Sequence, residues 1–196
     1  MAPPFHPLAV PAKKTALLIL DLHKFIISHN PTGESVVLNA VKLRAWAKAQ
    51  GMLVAHCLID FKATTPENRK MAARFNGVRD EMGSAPDKSG EDERIAAIAD
   101  EYVFWRPPSH ISAMGSYGLK DWLAEHDIQS LVLVGLSSSG CVINTTKGAA
   151  DAGWIVTVVE DACGDKSPEA HEVIMSKLLV GQANVFKTEE VERFTW

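Results

Sequence analysis

One stretch constrains the fold of this chain more than any other: SLVLVGLSSSGCVINTTKGAADA, residues 130–152. It opens with an apolar run, Leu131 to Val134, of the length and composition of a strand buried on both faces. Gly135 breaks the run. Ser137 to Gly140 are small, so the backbone there can turn sharply and come close to a ligand. Val142, Thr145, Thr146, Ala149 and Ala150 then recur at helical spacing. The pattern predicts a strand, a tight turn and a helix, with Cys141 in or beside the first helical turn.

That position has chemical consequences. Unpaired N–H groups and the positive end of the helix dipole favour an anion there. A thiol so placed is expected to have a lowered pKa and to act as a nucleophile. The same N–H groups can receive the oxyanion of an attacked carbonyl, as at other strand–turn–helix nucleophiles. A lone cysteine also reads as a small buried hydrophobe, so the remaining residues must decide.

The rest of the chain repeats the strand-then-helix pattern. Apolar runs predict strands over residues 15–20, 52–59, 102–105, 155–159 and 183–186, and helices over 34–50 and 117–126. Ser167-Pro168 reads as a cap and first-turn proline of a further helix running to about Leu179. Strands that are apolar throughout and alternate with helices predict a parallel sheet covered on both faces. Residues 61–90 depart from this pattern. They are rich in charge, Gly and Pro, and predict a long lid or binding segment with short helical pieces around residues 67–74. A short helix is predicted over residues 91–100. Residues 1–14, rich in Pro, predict an arm lying on the surface or on a partner subunit, and residues 15–196 a single domain.

Composition excludes several classes. The chain has 196 residues, 46% hydrophobic and 22% charged, in the range of an ordinary soluble domain. A net charge of −4 without a basic block argues against a nucleic-acid surface. No apolar run is long enough to cross a membrane, and the first residues lack signal-peptide anatomy. Three widely spaced cysteines, Cys57, Cys141 and Cys163, form neither a disulfide framework nor a zinc pattern, which predicts a reducing, cytoplasmic setting. No glycine-rich nucleotide motif is present, so no cofactor is expected.

Parallel strands place their carboxyl ends on one edge of the sheet, where open α/β folds bind ligands. That edge would gather Asp21, Asp60, Arg106, Cys141 and Asp161. Asp21 also reads as a loop residue capping the next turn. The combination of a thiol, a carboxylate and a fixed cation suggests proton transfer and thiolate stabilisation.

Here the residues resemble a known family. TALLILDLHKF is similar to the first strand of the isochorismatase-like cysteine hydrolases, an apolar strand followed by Asp, a Met-Gln-like pair and Phe. VGLSSSGCVINTTKGAADAGWIVTVVEDA resembles that family's nucleophile segment, with its Cys-Val pair, downstream Ala-Asp-Ala-Gly and next strand ending in Glu-Asp-Ala. VFWRPPSHISAM lies where the family has a strand, a catalytic Lys and a Ser-Ala-Phe loop. The likeness runs in order from about Thr15 to Phe186. It implies a three-layer α/β/α, Rossmann-like domain with a six-stranded parallel sheet, and often a cis peptide just before the cysteine. It also implies a Cys-Asp-Lys triad that hydrolyses amide, ureido or related C–N bonds through a thioester. Carried over by position, Cys141 is the nucleophile, Asp21 the proton-transfer base, and the amides of Gly140 and Cys141 the oxyanion hole.

Two departures matter. Arg106 replaces the expected Lys. Arg keeps the charge but cannot relay a proton, which leaves open a binding or regulatory protein on an impaired hydrolase scaffold. Asp60 is followed by Phe61 and Lys62 rather than by a family-type Asp-x-His cluster, so no metal site is expected. Relatives that cleave the enol ether of isochorismate lack the cysteine, and retention of Cys141 argues against that chemistry. Candidate substrate contacts are Phe25, Trp105, His110, Ile111 and Met114, with Ser137 in the turn; each also reads as core or lid packing. The family analogy and the Pro-rich arm suggest a homodimer or homotetramer acting on a small molecule.

Overall fold

The computed structural model describes residues 2–84 and 86–195. Six parallel strands form one sheet in the order β3-β2-β1-β4-β5-β6. They are β1 (Thr15–Leu20), β2 (Leu53–Ile59), β3 (Tyr102–Arg106), β4 (Ser130–Leu136), β5 (Ile155–Gly164) and β6 (Asn184–Phe186). The helices are α1 (Lys24–Ser28), α2 (Gly33–Ala49), α3 (Ala72–Ser84), α4 (Pro86–Ser89), α5 (Leu119–Glu125), α6 (Ile143–Asp151), α7 (Pro168–Val173) and α8 (Thr188–Val191).

The central strands are buried on both sides because successive side chains feed two different cores. Leu18 and Leu20 of β1 join Leu131 and Leu133 of β4 beneath Leu119, Leu123 and Ala149 of α5 and α6. Leu17 and Ile19, with Val132 and Val134, face Val36, Val37, Ala40 and Leu43 of α2. This accounts for strands that read as unbroken apolar runs. Among the described residues, no helix is long and apolar enough to cross a membrane.

Two local expectations are corrected. Residues 91–100 form turns rather than a helix. The Arg44 guanidinium donates to the carbonyls of Arg94, Ile95 and Ala96, and so supplies partners that a helix would have supplied internally. The fully buried His56 fastens the same segment, with Nδ1 2.7 Å from Glu91 and Nε2 3.1 Å from Glu101. The longer helix of the 61–90 excursion, α3, overlaps the expected 67–74 only at its start and runs on to Ser84, with α4 following it. Phe75, Val78 and Met82 recur there at helical spacing and pack on Ile59 and Phe61 as a small third core. The N-terminal arm lies on the surface of its own chain, one of the two placements expected for it. The His6 ring packs edge-on against Phe186 and at a tilt against Phe194, and Asn184 donates to the Phe5 carbonyl.

His23 clasps both ends of the lid. Its Nε2 accepts from the Ile59 N–H (3.2 Å), which leaves Nδ1 to donate to the Ser89 carbonyl (2.8 Å), while its ring packs on Phe61. These bonds fix the neutral tautomer. Burial lowers the pKa of His23, opposed chiefly by neighbouring Asp21.

Candidate active site

The sheet order reverses between β1 and β4, and their carboxyl ends open a crevice of the kind that binds ligands in doubly wound folds. Asp21 follows β1 directly. Its φ of 52° lies in the left-handed region, a conformation that an L-residue holds only when its surroundings enforce it. Across the crevice, Gly135 has φ 126°, and a Cβ there would lie 2.1 Å from the Leu20 carbonyl oxygen. Only glycine lets β4 come this close to β1.

After β4 the chain turns through Ser138–Val142 and enters α6. The Leu136–Ser137 peptide is cis. Gly140 (φ −110°, ψ −106°) interrupts the helical path and presents Cys141 at the crevice. Arg106 ends β3, two strands from β1. Strands lie about 4.8 Å apart, so only a long side chain spans the distance.

The Arg106 guanidinium has five N–H donors, and each meets an acceptor. Nε donates to the His110 carbonyl (2.9 Å). Nη1 donates to Asp21 Oδ1 (3.0 Å) and to the Cys57 carbonyl (3.4 Å). Nη2 donates to Asp21 Oδ2 and to Cys141 Sγ (3.2 Å). The same guanidinium thus holds the Asp21 carboxylate and the Cys141 sulfur side by side. Arg106, Asp21 and Cys141 are 1%, 2% and 4% exposed, so this charged group is closed off from bulk water.

The expected lowering of the thiol pKa is not found. Burial pushes Cys141 up to about 12, and the facing Asp21 carboxylate adds to this, against the opposing effect of Arg106. A helix terminus acts on an ion at its mouth, but desolvation is larger here. The sulfur is a neutral thiol at rest. For Arg106, burial opposes the charge, but Asp21 and then Cys141 outweigh it, and its pKa is raised.

The expected oxyanion hole is also altered. The turn routes the N–H groups of Gly140 (3.1 Å) and Val142 (3.2 Å) to the Ser137 carbonyl, and Ser139 N–H donates to Asp165 (2.7 Å). The Gly140 amide is thus already engaged.

These groups line a cavity of about 490 Å³ that also includes Phe25, His110, Ile111, Ser137 and Gly140. Trp105 does not line it. Neighbouring residues on a strand point to opposite faces, so turning Arg106 inward leaves Trp105 45% exposed on the edge strand. Met114 is buried in the core beneath α6. Asp60 and Asp161 hold backbone, at Lys62 N–H and Thr188 N–H respectively. The sequence reading missed Phe61, Arg74, Phe75, Asp165 and Lys166, which come from the lid and from the β5–α7 loop. Among the described residues, no group of three or more His, Cys, Asp or Glu could hold a metal ion.

The isochorismatase domain model matches residues 15–190. The chain belongs to the isochorismatase family. An uncharacterised isochorismatase family protein of Escherichia coli O157:H7, YecD, is 27% identical over 92% of this chain and 95% of its own. Maleamate amidohydrolase of Pseudomonas putida is 26% identical over 82% of this chain and 76% of its own. The crystal structure of a cysteine hydrolase from Pseudomonas syringae pv. phaseolicola superposes with a TM-score of 0.78 at 15% identity, covering 98% of this chain and 97% of that one. The protein is an isochorismatase-family hydrolase, and the parallel sheet of that fold carries its crevice.

Proposed function

We propose that the protein hydrolyses an amide or ureido C–N bond of a small molecule through a thioester on Cys141. The observation that supports this most directly is one guanidinium that donates to both the Cys141 sulfur and the Asp21 carboxylate, at the wall of a substrate-sized cavity. Its likeness to a maleamate amidohydrolase and to a cysteine hydrolase fits the same reading.

A neutral thiol sets the order of events. As Sγ attacks the carbonyl carbon, its proton passes to Asp21. Arg106 cannot take it, because a guanidinium is not deprotonated in proteins. The C–N bond then breaks, and Asp21 returns the proton to the departing nitrogen. The acyl group remains on Sγ. Water attacks this thioester with Asp21 as base, releasing the acid and restoring the thiol. The Cys141 N–H receives the oxyanion, joined by the Gly140 N–H once its bond to Ser137 yields. Arg106 holds the carboxylate in place and balances charge on the sulfur.

The test is intact-mass analysis of the protein mixed with a panel of amides, ureas and carbamoyl compounds, repeated on Cys141→Ala and Cys141→Ser. Turnover with a transient acyl adduct, lost in both variants, is expected. Undiminished turnover in Cys141→Ala would discard the thioester route. Absence of turnover across the panel would favour a binding role on this scaffold.

A further inference from the structure

A buried carboxamide in the cavity wall is only half satisfied. Asn30 lies between α1 and α2, lines the cavity and is 8% exposed. Its backbone N–H donates to the Ile27 carbonyl (3.0 Å), and its carbonyl accepts from the Gly33 N–H (2.9 Å). Its side-chain oxygen accepts twice, from the Thr32 N–H (3.0 Å) and the Thr32 hydroxyl (2.9 Å). A backbone N–H can only donate, so these bonds fix which end of the carboxamide is oxygen. Nδ2 remains, with two N–H donors and no hydrogen bond to another described residue. The sheet holds this turn in place from behind. A Cβ at Gly164 would lie 2.3 Å from Thr32 Oγ1 and 3.2 Å from both Asn30 Oδ1 and Leu136 Cδ2. Glycine at the end of β5 therefore lets the turn seat against the strand ends, beside the segment that carries Cys141. By contrast, Asp21, Arg106 and Asp165, which line the same cavity, find partners within the protein.

We propose that Asn30 is a specificity-determining residue: its Nδ2 donates to a second carbonyl-type oxygen of the substrate, distinct from the one at the scissile bond. This rests on the amide-hydrolase reading of the same cavity. Buried polar groups are normally paired. A donor held at a wall shared with Phe25, Ile26, Ile59 and Ile111 is matched only by what enters the cavity. A carboxamide nitrogen has donors and no acceptor. It therefore selects an oxygen acceptor over hydrocarbon or an N–H group. It is uncharged, so the selection works by hydrogen bonding and not by net charge. Ketone, amide and carboxylate oxygens share the chemistry it needs. The scissile carbonyl is not its partner, because during attack that oxygen goes to the N–H groups of the nucleophile turn. An occupant without the second oxygen would strand Nδ2 with neither water nor partner, and the cost would appear as lost affinity.

The probes are three pairs of uncharged amides in which a ketone oxygen is replaced by a methylidene group of the same shape. They are 3-oxobutanamide with 3-methylbut-3-enamide, 4-oxopentanamide with 4-methylpent-4-enamide, and 5-oxohexanamide with 5-methylhex-5-enamide. Affinities are measured by calorimetry on Cys141→Ala, and turnover on the unaltered protein. In at least one pair the ketone should bind about ten-fold or more tightly, to the same extent at low and high salt. Asn30→Asp, made in the same background, keeps an oxygen on Thr32 but offers no donor to the cavity. It should abolish the preference while leaving the melting temperature and the affinity of the methylidene member little changed. Equal affinities within every pair, no binding by any of the six compounds, or a preference that survives in Asn30→Asp would overturn the role of Asn30. Ketone preference without turnover would count against thioester hydrolysis and leave that role standing. Turnover of both members of every pair at equal kcat/KM would keep the hydrolase and overturn the role.

Discussion

Arg106 and Asp21 meet across two strands, with both terminal guanidinium nitrogens on both carboxylate oxygens. The pair explains why this chain tolerates an arginine where the family resemblance implies lysine. Beyond Asp21, three further acceptors crowd around that side chain: the His110 carbonyl, the Cys57 carbonyl and Cys141 Sγ. A lysine has three donors on a single nitrogen and could not reach all of these positions together. The loop that includes His110 is therefore built around the wider head group.

Arg106→Lys should lower kcat rather than restore it. The substitution keeps the charge but loses the two-point grip on Asp21, and a charge-assisted hydrogen bond contributes about 1.5–3 kcal/mol, so a fall of roughly 10- to 100-fold is expected. Arg106→Met should also destabilise the fold by about 3–5 kcal/mol, because Asp21 would be left buried without its counter-ion. Steady-state kinetics and urea unfolding check the two variants. Higher activity in Arg106→Lys would show that the arginine impairs the site.

Cys141 should be slow to alkylate at neutral pH. Its pKa is pushed up to about 12, so the rate of modification by iodoacetamide should climb with pH without a plateau between pH 6 and 9. The same shift has a stability consequence. The folded state holds the thiol proton more tightly than the unfolded chain, so this contribution is complete below the ordinary pKa of 9.0 and is lost as pH rises towards about 12. Burial raises Cys57 and Cys163 as well, which deepens the alkaline loss. Mass-resolved alkylation rates and alkaline unfolding curves test this; a rate plateau with a midpoint below pH 8 would refute it.

The legible and illegible parts of this chain divide along physical lines. Strand β1 begins and ends where its apolar run does, because both faces are buried and nothing competes. Cys141 and Asp21 were found by placing strand ends on one edge, an argument that needs topology alone. The lid was visible only as a change of composition. Helix α3 contains Gly77 and Gly83, and its apolar residues meet only Phe61 and the last residue of β2, Ile59, rather than a face of the sheet, so its period is weak. Residues 91–100 have helical composition, yet Arg44 takes their carbonyls from 50 residues away, information absent from any local window. The thiol pKa depended on depth of burial, which position in a strand–turn–helix unit does not reveal. Trp105 could have been set aside by strand parity once Arg106 was placed inward.

Thr145 should be a positioning residue for the sulfur. Its Oγ1 accepts the Ala113 N–H at 2.8 Å, which leaves the hydroxyl proton free to point at Cys141 Sγ, 3.5 Å away. One hydroxyl therefore ties the Ser112–Ala113 loop to the nucleophile. Thr145→Val would leave the buried Ala113 N–H without a partner and destabilise the protein by about 1–3 kcal/mol. It should also lower kcat with little change in KM, and Thr145→Ser should restore both. Unchanged kcat in the valine variant, with only stability reduced, would confine Thr145 to a structural role.

The His23 clasp should make the lid sensitive to mild acid. The imidazole accepts from Ile59 N–H at Nε2, and protonation would turn that acceptor into a second donor facing a donor. Burial has lowered the pKa of His23, so the folded state favours the neutral ring. Its contribution to stability is then complete above the ordinary value of 6.5 and is lost as pH falls below it towards the lowered folded value. What opens first should be the segment that His23 fastens, because Ser89 and Phe61 are its other two partners. Hydrogen exchange over residues 61–90 should therefore quicken below about pH 6, after correction for intrinsic rates, while β1 and β4 remain protected. In His23→Gln the same residues should exchange faster at neutral pH, and the acid dependence should largely disappear. Equal acid sensitivity in that variant would place the trigger elsewhere.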